Sequence, residues 1–566
     1  MAPRGAARDM TRDHRPPRPR TSLAPGDYRR AVGQPTAEAR HAWVAAPSID
    51  QPTEILPPFT PTARADLDAP VNGALPRHRS APAVDQSAGV HEQRALAQLA
   101  WLLPTLLAAG LGLVRVGWPA LWEDELATWG MAILPWGQAW QVLHDTDATL
   151  GAYYGFMHVW VSVLGDSDVV LRLPSVLATA AAAGLTARIG TKLATPRIGL
   201  LSGLVFAVLP ATSRYGQEAR PYALVVCAAV LSSLMLVRLL DRPRRRTLAA
   251  YALATALLGL LHAIALLLIA AHALVVLAVS PSLFRRWLAA AGISILPALP
   301  VLYLGSQQTA QVSWIVTPTW NSLVAFPTTL IGTAVGAGIV LALAMFAVST
   351  RHPAVLYTTW VVVPMIGLFA VSQVSALWVP RYLLFTTPAL ALLAGTALGR
   401  ARLVRGVAGL LVLAAVGAAA QVAVREPDGH SQATREAAAL ISARMKPGDA
   451  IVYSSRDSGS TLERTSERVG RDLVAHYVPA DRRPADVLEV VPPRVAGQVS
   501  PVECADVAKC LRNPKRIWVL HLGHQTDPLQ GLGSAKGSAL RNRYYVSSVW
   551  YPRGLTVALL LPKPTG

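Results

Sequence analysis

Cysteine and charged residues are both scarce in this chain of 566 residues. It has three cysteines with no CxxC pair, so the sequence offers neither a cysteine zinc site nor the framework of a small disulfide-rich protein. Charged residues make up 15% of the chain against 52% hydrophobic residues, which is too apolar for a typical soluble multidomain protein. We find no Walker loop, GxGxxG or HExxH motif in the setting that a nucleotide or metalloprotease site needs.

The net charge of +19 is spread unevenly along the chain. Residues 1–96 contain 14 Pro, 13 Arg and 10 acidic residues without sustained apolar periodicity. Such a composition buries too little apolar surface to offset the entropy of ordering, so we predict a disordered cytoplasmic tail. The excess of basic residues in the rest of the chain follows a membrane pattern, and we expect no nucleic-acid partner.

Between residues 97 and 423 the sequence becomes a series of long apolar runs. Each run is long enough, or nearly so, to cross a hydrocarbon layer of roughly 30 Å as a helix. We therefore predict a mainly α, polytopic transmembrane bundle. The eleven predicted spans are 97–117, 170–188, 198–214, 220–238, 247–262, 264–280, 287–304, 322–348, 354–372, 382–399 and 406–423.

The sorting of charge predicts the orientation of this bundle in the plasma membrane. With the amino terminus inside, 14 of the 19 basic residues of 97–423 fall in inner connections, and eight of the nine acidic residues fall outside. Joining 247–262 and 264–280 into one segment is the competing interpretation, but it would place the later arginine clusters outside. We expect a cytoplasmic amino terminus and an extracytoplasmic carboxy terminus.

Residues 424–566 are predicted to form a small extracytoplasmic α/β domain. A helix-like stretch, TREAAALISARM, precedes the strand-like AIVYSS, and the apolar strands RIWVLHL and LTVALLL follow. In an oxidising compartment Cys504 and Cys510 could pair, with two free thiols as the alternative.

The longest outer connection, 118–169, concentrates acids and tryptophans. It holds seven of the nine acidic residues of the membrane region and six of the chain's 15 Trp. Because Trp favours the membrane interface, we expect this loop to lie along the surface as short amphipathic helices. Carboxylates held against an apolar surface gain basicity, so this loop is the expected site of chemistry.

Five stretches of this region resemble membrane glycosyltransferases of the GT-C fold, and most closely family 39. They are LWEDELATWG (121–130), DATLGAYYGFMHVW (147–160), GDSDVVLRLPS (165–175), RYGQEARPYAL (214–224) and PRYLLFTTP (380–388). The family is similar to protein O-mannosyltransferases and lipid A aminoarabinose transferases. The resemblance covers roughly residues 97–423 and implies an enzyme that takes a sugar from a polyprenyl phosphate.

The resemblance also implies residue roles. Asp124 matches the catalytic Asp of the first outer loop and Glu125 its acidic neighbour, whose repulsion would raise one carboxyl pKa. Asp147 matches an acceptor-side position, with capping of a helix as the structural alternative. The family often has a Pro-containing sequence here and this chain has ATLG, so Asp145 stays an alternative to Asp147.

Basic residues on the outer side are candidates for the donor phosphate, because Arg is a permanently charged, bidentate partner for phosphate. Arg220 and Arg381 match family positions. Arg172 also matches, although snorkelling or pairing with Asp168 is the favoured interpretation. His262, at an outer turn, could face the donor as an orienting residue, and a structural histidine is the commoner alternative.

The leading hypothesis is an inverting glycosyltransferase that moves a hexose such as mannose from a polyprenyl phosphate to an acceptor outside the cytoplasm. The acceptor is a glycan, lipid or protein that the sequence does not identify. No cofactor and no metal site are predicted, and a requirement for a divalent ion stays open. A transporter of polyprenyl lipid or glycan and a non-catalytic envelope scaffold are the alternatives.

Overall fold

The computed structural model describes residues 86–348, 351–454, 461–492, 495–497, 501–530 and 532–564. Of the predicted disordered tail, residues 1–85 lie outside the described part of the chain. The first helix begins at Gln86, ahead of the predicted boundary at residue 96.

Helices make up the described chain as far as residue 423, and every predicted span coincides with one or two of them. The helices are α1 (Gln86–Leu113), α2 (Glu123–Ala132), α3 (Trp136–Asp145), α4 (Gly151–Leu164), α5 (Asp168–Leu193), α6 (Pro196–Val208), α7 (Pro210–Gly216), α8 (Tyr222–Asp241), α9 (Arg245–Leu261), α10 (Leu267–Val279), α11 (Phe284–Ile295), α12 (Leu299–Gln307), α13 (Trp320–Ile331), α14 (Ala334–Val348), α15 (Arg351–Val371), α16 (Thr387–Arg400) and α17 (Leu403–Ala423).

In the part of the chain that the structure describes, six helical stretches are long and apolar enough to cross a membrane, and eight if each of two bent pairs counts as one span. The bent pairs are α6 with α7 and α13 with α14, at angles of 64° and 98°. The predicted spans 247–262 and 264–280 fall on α9 and α10, which have 17 and 13 residues. The apolar part of α1 that corresponds to span 97–117 is Ala100–Leu113, which is shorter than the 18 residues that a span requires. For example, the 17 residues of α9 extend only about 26 Å at 1.5 Å per residue. Composition therefore gave eleven apolar runs, whereas backbone breaks and helix length decide how many meet the criterion for a full span.

The carboxy-terminal region is an α/β layer, as predicted. Its elements are α18 (Thr434–Arg444), β1 (Ala450–Tyr453), α19 (Thr461–Tyr477), β2 (Ala485–Asp486), β3 (Glu489–Val491), β4 (Val502–Glu503), α20 (Val507–Cys510), β5 (Ile517–Leu522), α21 (Ser534–Arg543), β6 (Tyr544–Trp550) and β7 (Leu555–Pro562). The five-stranded sheet has the order β2-β1-β5-β7-β6, with β1 parallel to β2 and β5, and β7 antiparallel to both β5 and β6. Strands β3 and β4 form a separate antiparallel pair.

The acidic loop, residues 118–169, and the carboxy-terminal layer share one hydrophobic core. Leu126 and Met157 of the loop and Leu473 and Trp518 of the layer belong to the same cluster of buried residues. A second cluster fills the helix bundle, and a third lies within the carboxy-terminal layer and includes Val519 and Leu560. Because burial of apolar surface is the main stabilising term, this shared core fixes the layer on the acidic loop.

Candidate active site

A cavity of about 500 Å³ lies between the acidic loop, the ends of several bundle helices and the carboxy-terminal layer. This volume is within the usual range for ligand sites. Five of the predicted site residues line it: Asp124, Asp147, Arg220, His262 and Arg381. Residues of four separate motifs of the sequence, together with His262, therefore meet at one site.

Helix α2 begins with three adjacent acids, Glu123, Asp124 and Glu125, which do not all project to the same side. Consecutive residues on an α-helix project about 100° apart, and Glu123 lines the cavity together with Asp124. Asp124 lines the cavity, whereas Glu125 is fully buried outside it. Both acids lie in the first turn, where the partial positive charge of the helix amino terminus favours carboxylates.

Asp124 faces two arginines in the cavity wall. Its Oδ2 lies 3.8 Å from Arg220 Nε and 3.6 Å from Arg381 Nη2. These distances are long for hydrogen bonds, and the buried Oδ2 atom has no hydrogen-bond partner among the described residues. A carboxylate oxygen that is held near cations and makes no hydrogen bond is free to accept one from a ligand.

Glu125 and Arg172 form a fully buried ion pair. Arg172 Nε and Nη2 donate to the two carboxylate oxygens at 2.7 and 2.6 Å, and the amide of Ala219 donates to Oε1 at 2.8 Å. Burial alone would raise the pKa of Glu125, but Arg172 and His430 outweigh burial and hold that pKa well below its usual range. Glu125 is therefore ionised in the structure, which corrects the expectation that repulsion from Asp124 would raise a carboxyl pKa here.

The geometry of Arg172 is at odds with the predicted role in phosphate binding. Its side chain is fully buried, and it also donates to the carbonyls of Val116, Pro119 and Ala120. Its carboxylate partner is Glu125, not Asp168. All of these donors are used within the protein, which favours a structural role for Arg172.

Asp147, and not Asp145, faces the cavity. Asp147 adopts a left-handed backbone conformation with φ of 57°, which Asp tolerates better than most residues. Its Oδ2 accepts a hydrogen bond from the Tyr154 hydroxyl at 3.0 Å. Burial and the nearby Asp147 hold the pKa of Tyr154 well above its usual range, so the phenol stays a donor. Asp145 is exposed at the end of α3, which settles where the two acids lie.

A second buried carboxyl, Glu218, lies behind the cavity. Arg214 Nη1 donates to Oε2 and the indole of Trp122 donates to Oε1, both at 3.0 Å. Burial raises the pKa of Glu218 to about 7, against the opposing charge of Arg214. Glu218 is thus paired with Arg214 and supports Trp122, which lines the cavity.

His262 lies in the cavity wall next to the aromatic rings of Tyr382 and Tyr222, with centroid distances of 4.8 and 6.2 Å. Its buried Nδ1 has no hydrogen-bond partner among the described residues. Arg381 Nε donates to the Tyr222 hydroxyl at 3.0 Å, which fixes the guanidinium toward Asp124. His262 therefore presents an unused ring nitrogen in the same wall as Arg381.

The carboxy-terminal layer holds the backbone that precedes α2. The amide of Leu121 donates to the Tyr477 hydroxyl at 2.8 Å, and its carbonyl accepts from Thr434 Oγ1 at 2.6 Å. Gln432 accepts from the Glu123 amide at 2.8 Å. Sequence reasoning missed these contacts because their partners are about 310 to 360 positions apart in the chain.

The same layer adds side chains to the cavity itself. Arg468 of α19 and Leu522 at the end of β5 both line it. Arg468 Nη1 lies 3.9 Å from Asp147 Oδ2. No motif in the sequence singles out Arg468, since it stands in an ordinary polar helix pattern.

Two further predictions concern the cysteines and metals. Cys504 and Cys510 are joined by a disulfide in the structure. Among the described residues no group of three or more His, Cys, Asp or Glu side chains is arranged to hold a metal ion.

Comparison with known proteins agrees with the resemblance seen in the motifs. The family model described as dolichyl-phosphate-mannose-protein mannosyltransferase matches residues 151–306. Among solved structures, ArnT from Cupriavidus metallidurans in the apo state is similar with a TM-score of 0.51 and 14% identity, over 84% of this chain and 98% of that chain. ArnT bound to undecaprenyl phosphate gives the same TM-score and coverage at 15% identity. No curated protein matches the chain. The chain therefore has the GT-C fold of membrane glycosyltransferases, and its resemblance to the family 39 mannosyltransferases is confirmed.

Proposed function

We propose that this protein is an inverting glycosyltransferase that moves a sugar from a polyprenyl phosphate to an acceptor at the outer face of the membrane. The observation that carries the proposal is the environment of Asp124. A carboxylate oxygen without a hydrogen bond stands within 4 Å of two arginines in a cavity of suitable size. A base next to a cationic pair suits a reaction in which a hydroxyl loses a proton while a phosphate leaves.

Arg220 and Arg381 are assigned to the phosphate of the donor. Their guanidinium groups are permanently charged and offer donors in a planar arrangement that matches phosphate oxygens. The solved ArnT structure with undecaprenyl phosphate supports a polyprenyl phosphate as the lipid partner of this fold. The hydrogen bond between Arg381 and Tyr222 keeps one of the two groups oriented before the donor arrives.

Asp124 is assigned as the general base. The acceptor hydroxyl oxygen forms a bond to the anomeric carbon while the bond from that carbon to the phosphate oxygen breaks. The hydroxyl proton goes to the Asp124 carboxylate, and the polyprenyl phosphate leaves with the bonding electron pair, stabilised by Arg220 and Arg381. A single displacement inverts the anomeric configuration. Glu125 serves this step indirectly, because its buried pair with Arg172 fixes the first turn of α2.

The finer features of the proposal are the sugar and the orientation. We assign a hexose, and mannose first, because the family model that matches residues 151–306 is described by mannose transfer. The charge sorting of the sequence supports a cytoplasmic amino terminus and an extracytoplasmic carboxy-terminal layer. This orientation puts the cavity at the outer face, where a lipid-linked sugar is used.

The test is a transfer assay on the full chain reconstituted in lipid, with polyprenyl-phosphate mannose as donor and envelope extract as acceptor. Asp124→Asn keeps the shape of the side chain and removes its basicity, so transfer should fall at least about 1,000-fold while undecaprenyl phosphate still binds. Asp145→Asn, a change at an exposed acid nearby, is the matched control and should transfer normally. Unchanged transfer by Asp124→Asn would exclude the mechanism, and would direct attention to a scaffold or a transporter.

A further inference from the structure

The cavity contains two sets of charged side chains that come from different parts of the chain. Asp124, Arg220 and Arg381 form the first set, and all three belong to the outer loop or to the ends of bundle helices. Asp147 and Arg468 form the second set, in which the arginine comes from the carboxy-terminal layer. Tyr154 lies between the sets, since it donates to Asp147 and accepts from Arg220 Nη1 at 3.4 Å.

The two sets differ in local charge. Two arginines and one aspartate give the first set an excess of one positive charge, which suits an anionic phosphate. One arginine and one aspartate leave the second set neutral, so it offers no net attraction for an anion. Glu123 also lines the cavity and keeps its negative charge while its carboxylate accepts from the side-chain amide of Gln432 at 3.1 Å. The second set therefore fits an uncharged polar ligand better than a second phosphate.

The spacing of Arg468 and Asp147 leaves room for a hydroxyl. The distance of 3.9 Å between Nη1 and Oδ2 exceeds that of a hydrogen bond. Arg468 is 8% exposed, and its buried Nε atom has no hydrogen-bond partner among the described residues. A hydroxyl between the two groups could donate to the carboxylate and accept from the guanidinium, since hydroxyls do both. Burying an arginine donor that stays unused is costly, which favours a ligand at this point.

A second, smaller cavity leads away from Arg468 into the carboxy-terminal layer. It has a volume of about 270 Å³, and Arg468 lines both cavities. Its wall carries three arginines and three carboxylates, so its formal charges balance: Arg468, Arg471, Arg483, Asp472, Asp486 and Glu489. Arg471 Nε lies 2.8 Å from Asp486 and 3.2 Å from Glu489. The hydroxyls of a carbohydrate chain would find hydrogen-bond partners among these charged side chains.

We propose that Asp147 and Arg468 form an acceptor subsite that binds the hydroxyls of a neutral carbohydrate, whose chain continues into the second cavity. The inference rests on the proposed glycosyltransferase function and adds the substrate class of the acceptor. It gives the carboxy-terminal layer a direct part in acceptor recognition. The acceptor hydroxyl then lies next to Tyr154, on the path to the base Asp124.

The probes are neutral hexose and pentose trisaccharides and, separately, undecaprenyl phosphate, each titrated against the full chain in lipid nanodiscs. Wild-type protein should bind at least one trisaccharide. Arg468→Ala should weaken that binding at least about 10-fold and leave the affinity for undecaprenyl phosphate unchanged. Arg482→Ala, at an exposed arginine of the same layer, is the matched control and should bind both probes normally.

A second variant keeps the proposal testable if Arg468→Ala does not fold. Asp147→Asn keeps the side-chain shape and tolerates the left-handed backbone, so it should fold and also weaken trisaccharide binding. The proposal is overturned if wild-type protein binds no trisaccharide, if both variants bind it normally, or if a Ser/Thr peptide or a lipid alcohol binds in an Arg468-dependent manner instead. Failure of undecaprenyl phosphate to bind wild-type protein would count against the proposed function. Binding of the trisaccharide tests the acceptor subsite separately.

Discussion

Arg172 donates two hydrogen bonds to the carboxylate of Glu125, at 2.7 and 2.6 Å, and both side chains are fully buried. The pair joins α5 to the first turn of α2, the turn that carries Asp124. His430, from the segment that leads into the carboxy-terminal layer, places its Nδ1 3.2 Å from the same carboxylate. Burial and the charge of Arg214 lower the pKa of His430 to about 3, so a neutral imidazole donates here through Nδ1–H. Three parts of the chain therefore fix the orientation of the proposed base.

Glu125→Gln should destabilise the protein strongly. Removing one partner of a buried pair leaves the other charge without compensation, which typically costs about 3–5 kcal/mol. The variant should show a clearly lower Tm in detergent or nanodiscs. Glu426→Gln, at an exposed acid, is the control and should unfold as the wild type does. Equal Tm values for Glu125→Gln and wild type would show that the pair does not support the fold.

Glu218→Gln should change how stability depends on pH. Since burial raises the pKa of Glu218 from 4.5 to about 7, the folded state holds a proton between these values that the unfolded state has released. The free energy of unfolding should therefore fall as pH rises from about 4.5 to 7, by about 3 kcal/mol from this group. Thermal unfolding from pH 4.5 to 8 should give a flatter profile for Glu218→Gln than for wild type. Glu436→Gln, an exposed acid, should keep the wild-type slope, and an equally steep profile for Glu218→Gln would contradict the assignment.

Arg381→Lys should weaken binding of undecaprenyl phosphate about 10- to 100-fold. Lysine keeps the charge but loses the planar pair of donors and the hydrogen bond to Tyr222, and a charged hydrogen bond contributes about 1.5–3 kcal/mol. Titration of the lipid into nanodiscs measures this loss directly. Arg115→Lys, a change at an exposed arginine of the outer loop region, serves as the control. Wild-type affinity in Arg381→Lys would remove Arg381 from the phosphate site.

Tyr477→Phe should lower turnover more than it lowers donor affinity. The Tyr477 hydroxyl accepts from the Leu121 amide and donates to Asp168 Oδ2, both at 2.8 Å, and these bonds hold the chain just before α2. An amide left without its partner costs about 1–3 kcal/mol, and a less ordered loop misplaces Asp124. Transfer kinetics should show a reduced kcat with little change in undecaprenyl phosphate binding. Tyr551→Phe removes an exposed hydroxyl and should leave kcat unchanged. A normal kcat in Tyr477→Phe would show that the hydrogen bonds of Tyr477 do not position Asp124.

The motifs predicted which residues line the cavity better than they predicted the role of each residue. Asp124, Asp147, Arg220 and Arg381 were each indicated by a motif and His262 by its place at a predicted turn, and all five line the cavity. Glu125 and Arg172 were also indicated by motifs, yet both are buried outside it. A linear motif does not show on which side of a helix a residue projects, and a turn of about 100° separates adjacent positions.

Local sequence also determined most of the secondary structure. The apolar runs became helices because they exclude charge over long stretches, and the strand-like segments became β1, β5 and β7 because their apolar residues are buried in a sheet. Helix length was harder to predict, since the breaks between α6 and α7 and between α13 and α14 depend on packing as well as on residue type.

The sequence by itself thus determined the helical bundle, the carboxy-terminal α/β layer and the acidic loop, because hydrophobicity and periodicity act over neighbouring residues. Only the tertiary structure decided that Glu125 pairs with Arg172, that the carboxy-terminal layer holds Leu121, and that Arg468 enters the cavity. These contacts join positions up to about 360 residues apart. They depend on burial and geometry in three dimensions, which no local pattern of residues encodes.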